Sequence, residues 1–208
     1  GRGGFRRNLK AYEIVDQLIA SRRFAHPKRI TNIVFMGMGE PLMNLAEVSE
    51  ALKRITRHMG TSPRRITVST AGLVKEMKEF SDMAPPVNLA VSLNATTDIQ
   101  REYLMPVNRR YPISALLDAC RRYPLRGGRR ITFEYVLIDG INDSKEDAGR
   151  LLRMLRGIPS KVNLIPLNVF EGCKLKRPSD EKLLIFRDVL TKVGLAAFIR
   201  KSKGGDIS

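Results

Sequence analysis

Short apolar runs rich in β-branched residues recur along the chain, and a longer segment with helical spacing separates each from the next. The runs occupy residues 30–36 (ITNIVFM), 65–70 (RITVST), 87–93 (VNLAVSL), 130–138 (RITFEYVLI), 161–166 (KVNLIP) and 196–200 (AAFIR). Runs of this length, built from Val, Ile, Thr and Phe and bounded by Gly, Pro or Asn, read as buried strands. Between them lie helix-type patterns. Residues 11–22 place Ile14, Val15, Leu18 and Ile19 on one face, and Asn44 is a candidate cap for residues 45–59, which Gly60 stops. Further helices are predicted over residues 72–80, 98–103 and 113–123, the last with Ser114 as a possible cap. Asp143 or Ser144 opens another to about residue 156, and Ser179 with Asp180 opens one to about residue 193. Strands buried on both faces and separated by helices predict an α/β fold with a parallel sheet and right-handed crossovers. An open doubly wound sheet and a partial (β/α) barrel both satisfy the pattern. With no linker or repeat, residues 1–208 read as a single domain. The chain opens on a loop and a helix, so a first strand is expected to be missing before Gly1.

Charge narrows the partners. Lys and Arg number 37 against 21 Asp and Glu, a net charge of +16, and the basic residues cluster: Arg64 with Arg65, Arg109 with Arg110, and Arg126 with Arg129 and Arg130. Such an excess attracts polyanions, because neutralised phosphates release condensed counterions. Aromatics make up only 6% and Trp is absent, so no single-strand stacking platform is evident. No apolar run is long enough to span a membrane and the N-terminal residues carry no signal-peptide pattern, so a cytoplasmic protein, expected to be monomeric and without a membrane partner, is the reading.

Chemistry in parallel α/β folds gathers at the carboxyl ends of strands. The run ending at Met36 leads straight into Gly37-Met38-Gly39-Glu40-Pro41. A third glycine is absent and a proline follows, which argues against dinucleotide binding, and no Gly-Lys-Ser/Thr makes a phosphate loop. A tight turn accounts for the glycines but not for the acid, whose carboxylate is suited to an ammonium group. The next strand ends in Ser69 and Thr70, the next in Ser92, Leu93 and Asn94, and a later one in Pro166 and Asn168. Together these place one acid and several small hydrogen-bonding groups on one rim, suited to an amino-acid-bearing nucleoside. The two cysteines are 53 positions apart; Cys120 reads as a core thiol and Cys173 as an incidental loop thiol. His26 and His58 stand alone, so no metal site is predicted.

The stretches GGFRRNL, TNIVFMGMGEPLMN, RRITVSTAG, LAVSLNA, MPVNRRYP, ITFEYVLIDGINDS, NLIPLN and IRKSKGGDIS resemble, in order and across the chain, the radical S-adenosylmethionine 23S rRNA adenine-C2 methyltransferases, which also act on tRNA. The resemblance implies a partial (β/α)6 radical-SAM barrel. It implies that Gly39 and Glu40 contact the amino end of S-adenosylmethionine, that Ser69, Ser92, Leu93 and Asn94 contact the same cofactor, and that Asn168 reaches it from the last strands. Asn94 stands where relatives commonly carry His, which leaves a backbone contact more secure there than a side-chain role. The implied mechanism uses a 4Fe-4S cluster on a CxxxCxxC loop to cleave S-adenosylmethionine. The resulting radical activates a methyl group carried on a C-terminal cysteine for addition to adenine C2. 23S rRNA, tRNA and an electron donor are the implied partners.

The family's cluster loop lies just before its GGFRRNL-like segment and the methyl-carrying cysteine just after its GGDIS-like one. This sequence begins at Gly1 and stops at Ser208, so the cluster loop is expected to be missing and the chain on its own to be inactive. Two other readings compete: a basic RNA-binding α/β module without catalysis, and a related adenine-C8 methyltransferase. Iron–sulfur reconstitution of this polypeptide is expected to give no cluster absorbance; a stoichiometric 4Fe-4S signal would sink that expectation.

Overall fold

The computed structural model describes residues 4–169 and 172–200. Six strands form one sheet: Ile33–Phe35 (β1), Ile66–Thr70 (β2), Asn88–Ser92 (β3), Ile131–Leu137 (β4), Ser160–Pro166 (β5) and Ala197–Ile199 (β6). Seven helices accompany them: Ala11–Ala25 (α1), Leu45–Arg57 (α2), Val74–Met83 (α3), Asp98–Leu104 (α4), Ile113–Arg122 (α5), Lys145–Leu155 (α6) and Asp180–Thr191 (α7). All of the predicted strands and helices form. Ser144 and Ser179 cap α6 and α7 as their spacing predicts. Two caps differ. A 3₁₀ turn over Pro41–Asn44 precedes α2, so Asn44 is already turned; its amide donates to the Leu9 carbonyl at 2.8 Å instead. Pro112, not Ser114, is the residue before α5.

Strand order separates the two architectures that the sequence leaves open. The order is β1-β2-β3-β4-β5-β6, and every neighbouring pair is parallel. A doubly wound sheet reverses direction at a switch point; this one never does. Crossovers of one hand in one direction lay all the helices on one face, as in a barrel. The sheet is also curled. A flat six-stranded sheet would hold its edges about 24 Å apart at the usual strand spacing. Yet Arg200, just past β6, donates to the Met36 sulfur, just past β1, at 3.5 Å. The edge strands do not pair with each other, so the barrel is partial and open.

The outer face carries the core. Ile66, Val68, Leu89, Val91, Phe133 and Leu164 from the strands pack with Leu52, Met77, Phe80, Leu116, Leu151 and Phe186 from the helices, all essentially inaccessible. The inner face corrects one expectation, that strands would be apolar on both sides. Ser160–Pro166 alternates buried and half-buried residues along its whole length. Its inward positions carry Lys161 and Asn163, because the concave side lines a polar cleft rather than a second apolar layer.

One side chain organises the rim of this half-barrel. Arg101, in α4, is fully buried. Its guanidinium donates to the carbonyls of Ala71 (2.7 Å), Ser92 (3.3 Å), Leu93 (3.2 Å) and Tyr111 (3.2 Å) and to the Asn108 side chain (3.0 Å). It thereby ties the loop after β2 to the loop after β3. Gly72 makes room: a Cβ there would sit 2.8 Å from Leu116 and 3.2 Å from the Arg101 guanidinium. Burial pulls the Arg101 pKa down to about 10, countered by Asp98, so it stays charged at neutral pH. Replacing Arg101 with Met strands several buried carbonyls. The expected cost is about 3–5 kcal/mol, read as the change in unfolding free energy in denaturant; a loss below 1 kcal/mol would refute the hub.

Candidate functional site

The rim is built from the turns that follow β1, β2 and β3. Gly37 and Gly39 adopt φ of +146° and +95°, conformations that favour glycine, and no described atom lies within 4 Å of a Cβ built at either. This turn exposes Met38 fully and swings Glu40 back over the sheet. The Glu40 carboxylate accepts from the Leu42 amide at 3.0 Å and from the Ala71 amide at 2.7 Å. Those bonds use one lone pair on each oxygen, leaving acceptor capacity for a ligand ammonium. Ser69, in the concave row beside Ala90, is 8% exposed.

Beyond β3 the predicted tripeptide divides its labour. The Ser92 carbonyl is held by Arg101, and its side chain lies on the concave face. Leu93 is fully buried; its amide donates to the Glu134 carbonyl at 3.0 Å and its carbonyl accepts from Arg101. Leu93 therefore supports the rim from the core side. Asn94 has φ of +58°, the one non-glycine residue with positive φ among the described residues, a conformation Asn tolerates better than most. Its side chain accepts from the Val136 amide at 2.9 Å and donates to the Met105 sulfur at 3.2 Å, and its carbonyl accepts from Asn142 at 2.7 Å. Asn94 thus clamps the β3 and β4 ends together. Asn168 lies two residues past β5 and is exposed.

Beneath the rim the concave face holds a cleft of about 370 Å³, lined by Thr67, Thr132, Glu134, Lys161, Asn163 and Arg200 with Val34, Met36 and Phe198. That volume is in the range of small-molecule sites. Sequence reasoning missed Glu134 and Asn163. Parallel register sets Ser92, Glu134, Asn163 and Phe198 in one row across the sheet. Glu134 is 5% exposed. One of its oxygens accepts from Asn163 at 3.0 Å, and the other is buried with no hydrogen-bond partner among the described residues. Burial raises its pKa above the usual carboxylate value, while Asn163 and Arg200 pull it back. The signal was present as period-two alternation: Thr132 and Glu134 interrupt an apolar strand on one face, as Lys161 and Asn163 do in the next.

The rim and cleft set hydrogen-bonding groups beside a concave surface of mixed polarity. Glu40 keeps free acceptor capacity, Ser69 and Ser92 carry hydroxyls, and the cleft offers mixed polar and apolar walls. Among the described residues no three His, Cys, Asp or Glu side chains converge to hold a metal ion. Cys120 is buried, and burial pushes its thiol up to about 12; Cys173 is half-buried, with its sulfur 3.7 Å from the Leu175 carbonyl. The segment 201–208, part of the sequence resemblance, lies outside the described residues.

Comparisons with known proteins show the family. The sequence model of the Radical SAM superfamily matches residues 3–152. The chain is 51% identical, over 100% of its own length and 57% of the relative's, to the dual-specificity RNA methyltransferase RlmN of Anaeromyxobacter sp. (strain Fw109-5). It is 52% identical to that of Geobacter sulfurreducens, over 99% and 57%. The crystal structure of a radical SAM methyltransferase from Sphaerobacter thermophilus superposes with a TM-score of 0.95 at 47% identity, covering 100% of this chain and 62% of that one. The chain therefore spans less than two thirds of the length of these proteins.

The buried Glu134 carboxyl has a pH signature. Its folded pKa lies above its unfolded value, so the native state binds the extra proton between the two. Its contribution is intact below the unfolded pKa and is lost as pH rises through the folded one. In Glu134→Gln no carboxylate needs to form in the cleft. The stability of Glu134→Gln relative to the parent is therefore expected to rise from pH 4 towards pH 8 in thermal denaturation. A pH-independent difference would contradict the assignment.

Proposed function

The chain belongs to the radical SAM superfamily, and from that premise we propose that it is the S-adenosylmethionine-binding core of an RNA methyltransferase acting at C2 of an adenine in 23S rRNA and tRNA. The observation that carries this reading is identity of about half, over essentially the full chain, to enzymes named as dual-specificity RNA methyltransferases. The partial barrel, the acid–serine rim and the net charge of +16 support it. S-adenosylmethionine, when bound, supplies the methyl group. Around it the residues of this chain bind and orient: Glu40 accepts from the ligand ammonium, Ser69 and Ser92 offer hydroxyls, and Asn168 closes the far side. Leu93 and Asn94 act by fixing the turn that presents Ser92. Among the described residues there is no ligand set for an iron–sulfur cluster.

A non-catalytic RNA-binding module explains the charge but leaves the acid–serine rim without a role. Titration calorimetry with S-adenosylhomocysteine separates the two. Binding is expected in the parent chain, and Glu40→Gln, which keeps one acceptor and removes the charge, is expected to weaken it at least tenfold, since a charge-assisted hydrogen bond contributes about 1.5–3 kcal/mol. Unchanged nucleoside affinity in Glu40→Gln would remove Glu40 from the ligand site. RNA affinity without any nucleoside signal would favour the module.

A further inference from the structure

At the end of the sheet opposite the rim, arginines converge without an acid. Arg64 and Arg65 end the 3₁₀ turn Pro63–Arg65 that leads into β2. Arg126, Arg129 and Arg130 lie in the loop between α5 and β4. The first residue of β3 holds the Pro63–Arg65 turn: the Asn88 side-chain amide donates to the Arg64 carbonyl at 2.8 Å. The α5–β4 loop admits the Arg64 side chain because it carries glycine there. A Cβ on Gly127 would lie 3.2 Å from the Arg64 guanidinium, and Gly127 and Gly128 both hold positive φ, +63° and +69°.

Several arginines elsewhere in the protein are paired with acids. Arg54, Arg109, Arg121, Arg150 and Arg187 each take a carboxylate partner. Among the described residues, none of the five arginines at the amino end of the sheet does. Two nitrogens of Arg129, Nε and one Nη, are shielded from water with no hydrogen-bond acceptor. Burial and then the nearby charge of Arg64 both act against the charge of Arg129. Two like charges held together, one partly desolvated and unpaired, are a site built for an anion. The planar guanidinium fork matches the paired oxygens of a phosphate.

We propose that Arg64 and Arg129 form a phosphate-binding site that anchors the RNA backbone. The assignment rests on the RNA methyltransferase reading above and names the surface by which the RNA is held. The strands separate anchor from rim: β4 has seven residues, roughly 23 Å at the usual rise. The site therefore positions the RNA far from the methyl transfer and reads no base.

The test measures binding of the full chain to a labelled RNA hairpin by fluorescence anisotropy, from 50 to 200 mM salt. Arg64→Gln/Arg129→Gln is expected to bind about tenfold more weakly at low salt. The slope of log affinity against log salt is expected to flatten by about 1 to 2. Arg153→Gln/Arg156→Gln, which removes equal charge from α6 and its end, serves as the control and is expected to keep most of the affinity. Equal losses in the two double variants, or a slope unchanged in the first, overturn the anchor and leave RNA binding standing. A parent chain that does not bind the hairpin at 50 mM salt overturns the RNA reading itself, and the anchor with it. Should the double variant fail to fold, the Arg129 Nε–H resonance of the parent decides. It is expected to shift on adding the hairpin, and a resonance that stays put refutes the contact.

Discussion

A single buried guanidinium holds together the carboxyl-end rim of the sheet. Strand-end turns leave carbonyls pointing into a space too dry for water to satisfy them, and orphaned buried carbonyls are costly. Arg101 meets four of them at once, from Ala71, Ser92, Leu93 and Tyr111. Its positive charge makes each bond stronger than a neutral one. Asn108 and Gly72 complete the arrangement, the first by accepting from the guanidinium and the second by leaving room for it. The turns after β2 and β3 cannot then move independently. Glu40 extends the same linkage to the turn after β1 through the Ala71 amide. The rim is thus preorganised by a fully buried side chain beneath it.

The concave face shows the opposite economy. The outer face of the sheet is a close-packed apolar core, but the inner face keeps Thr67, Thr132, Glu134, Lys161 and Asn163 in a cleft. Holding a carboxyl there with one oxygen unpartnered works against stability. A perturbed carboxyl in a concave, mixed-polarity cleft is the pattern of candidate functional sites. The curl of the sheet makes the cleft possible, since it brings Met36 and Arg200 from opposite edges into contact.

Much of the architecture was legible in the chain. Six apolar runs became six strands, and Ser144 and Ser179 became caps, because side-chain periodicity and local capping chemistry act within a few residues. The acid after β1 and the serines at the ends of β2 and β3 were legible for a similar reason: strand ends in parallel folds are where polar groups meet. Less legible was the division of labour among them. Asn94 and Leu93 look alike as rim residues in sequence, yet one clamps two strands with its side chain and the other is buried. Glu134 and Asn163 escaped because each sits inside an apolar strand, where only the parity of its position reveals which face it occupies.

By itself the sequence determined the alternation of strands and helices, the basic charge and the polar strand ends, all of which follow from local spacing and composition. Only the tertiary structure decided the rest. Sequential strand order turned an ambiguous α/β pattern into a half-barrel, because crossovers that never reverse place every helix on one face and leave the other free to line a cleft. Register placed Ser92, Glu134 and Asn163 in one row although they lie far apart in the chain. Contacts between residues distant in sequence, such as Arg101 with Ala71 or Arg64 with the Gly127 loop, exist only once the strands have paired, so no local pattern encodes them.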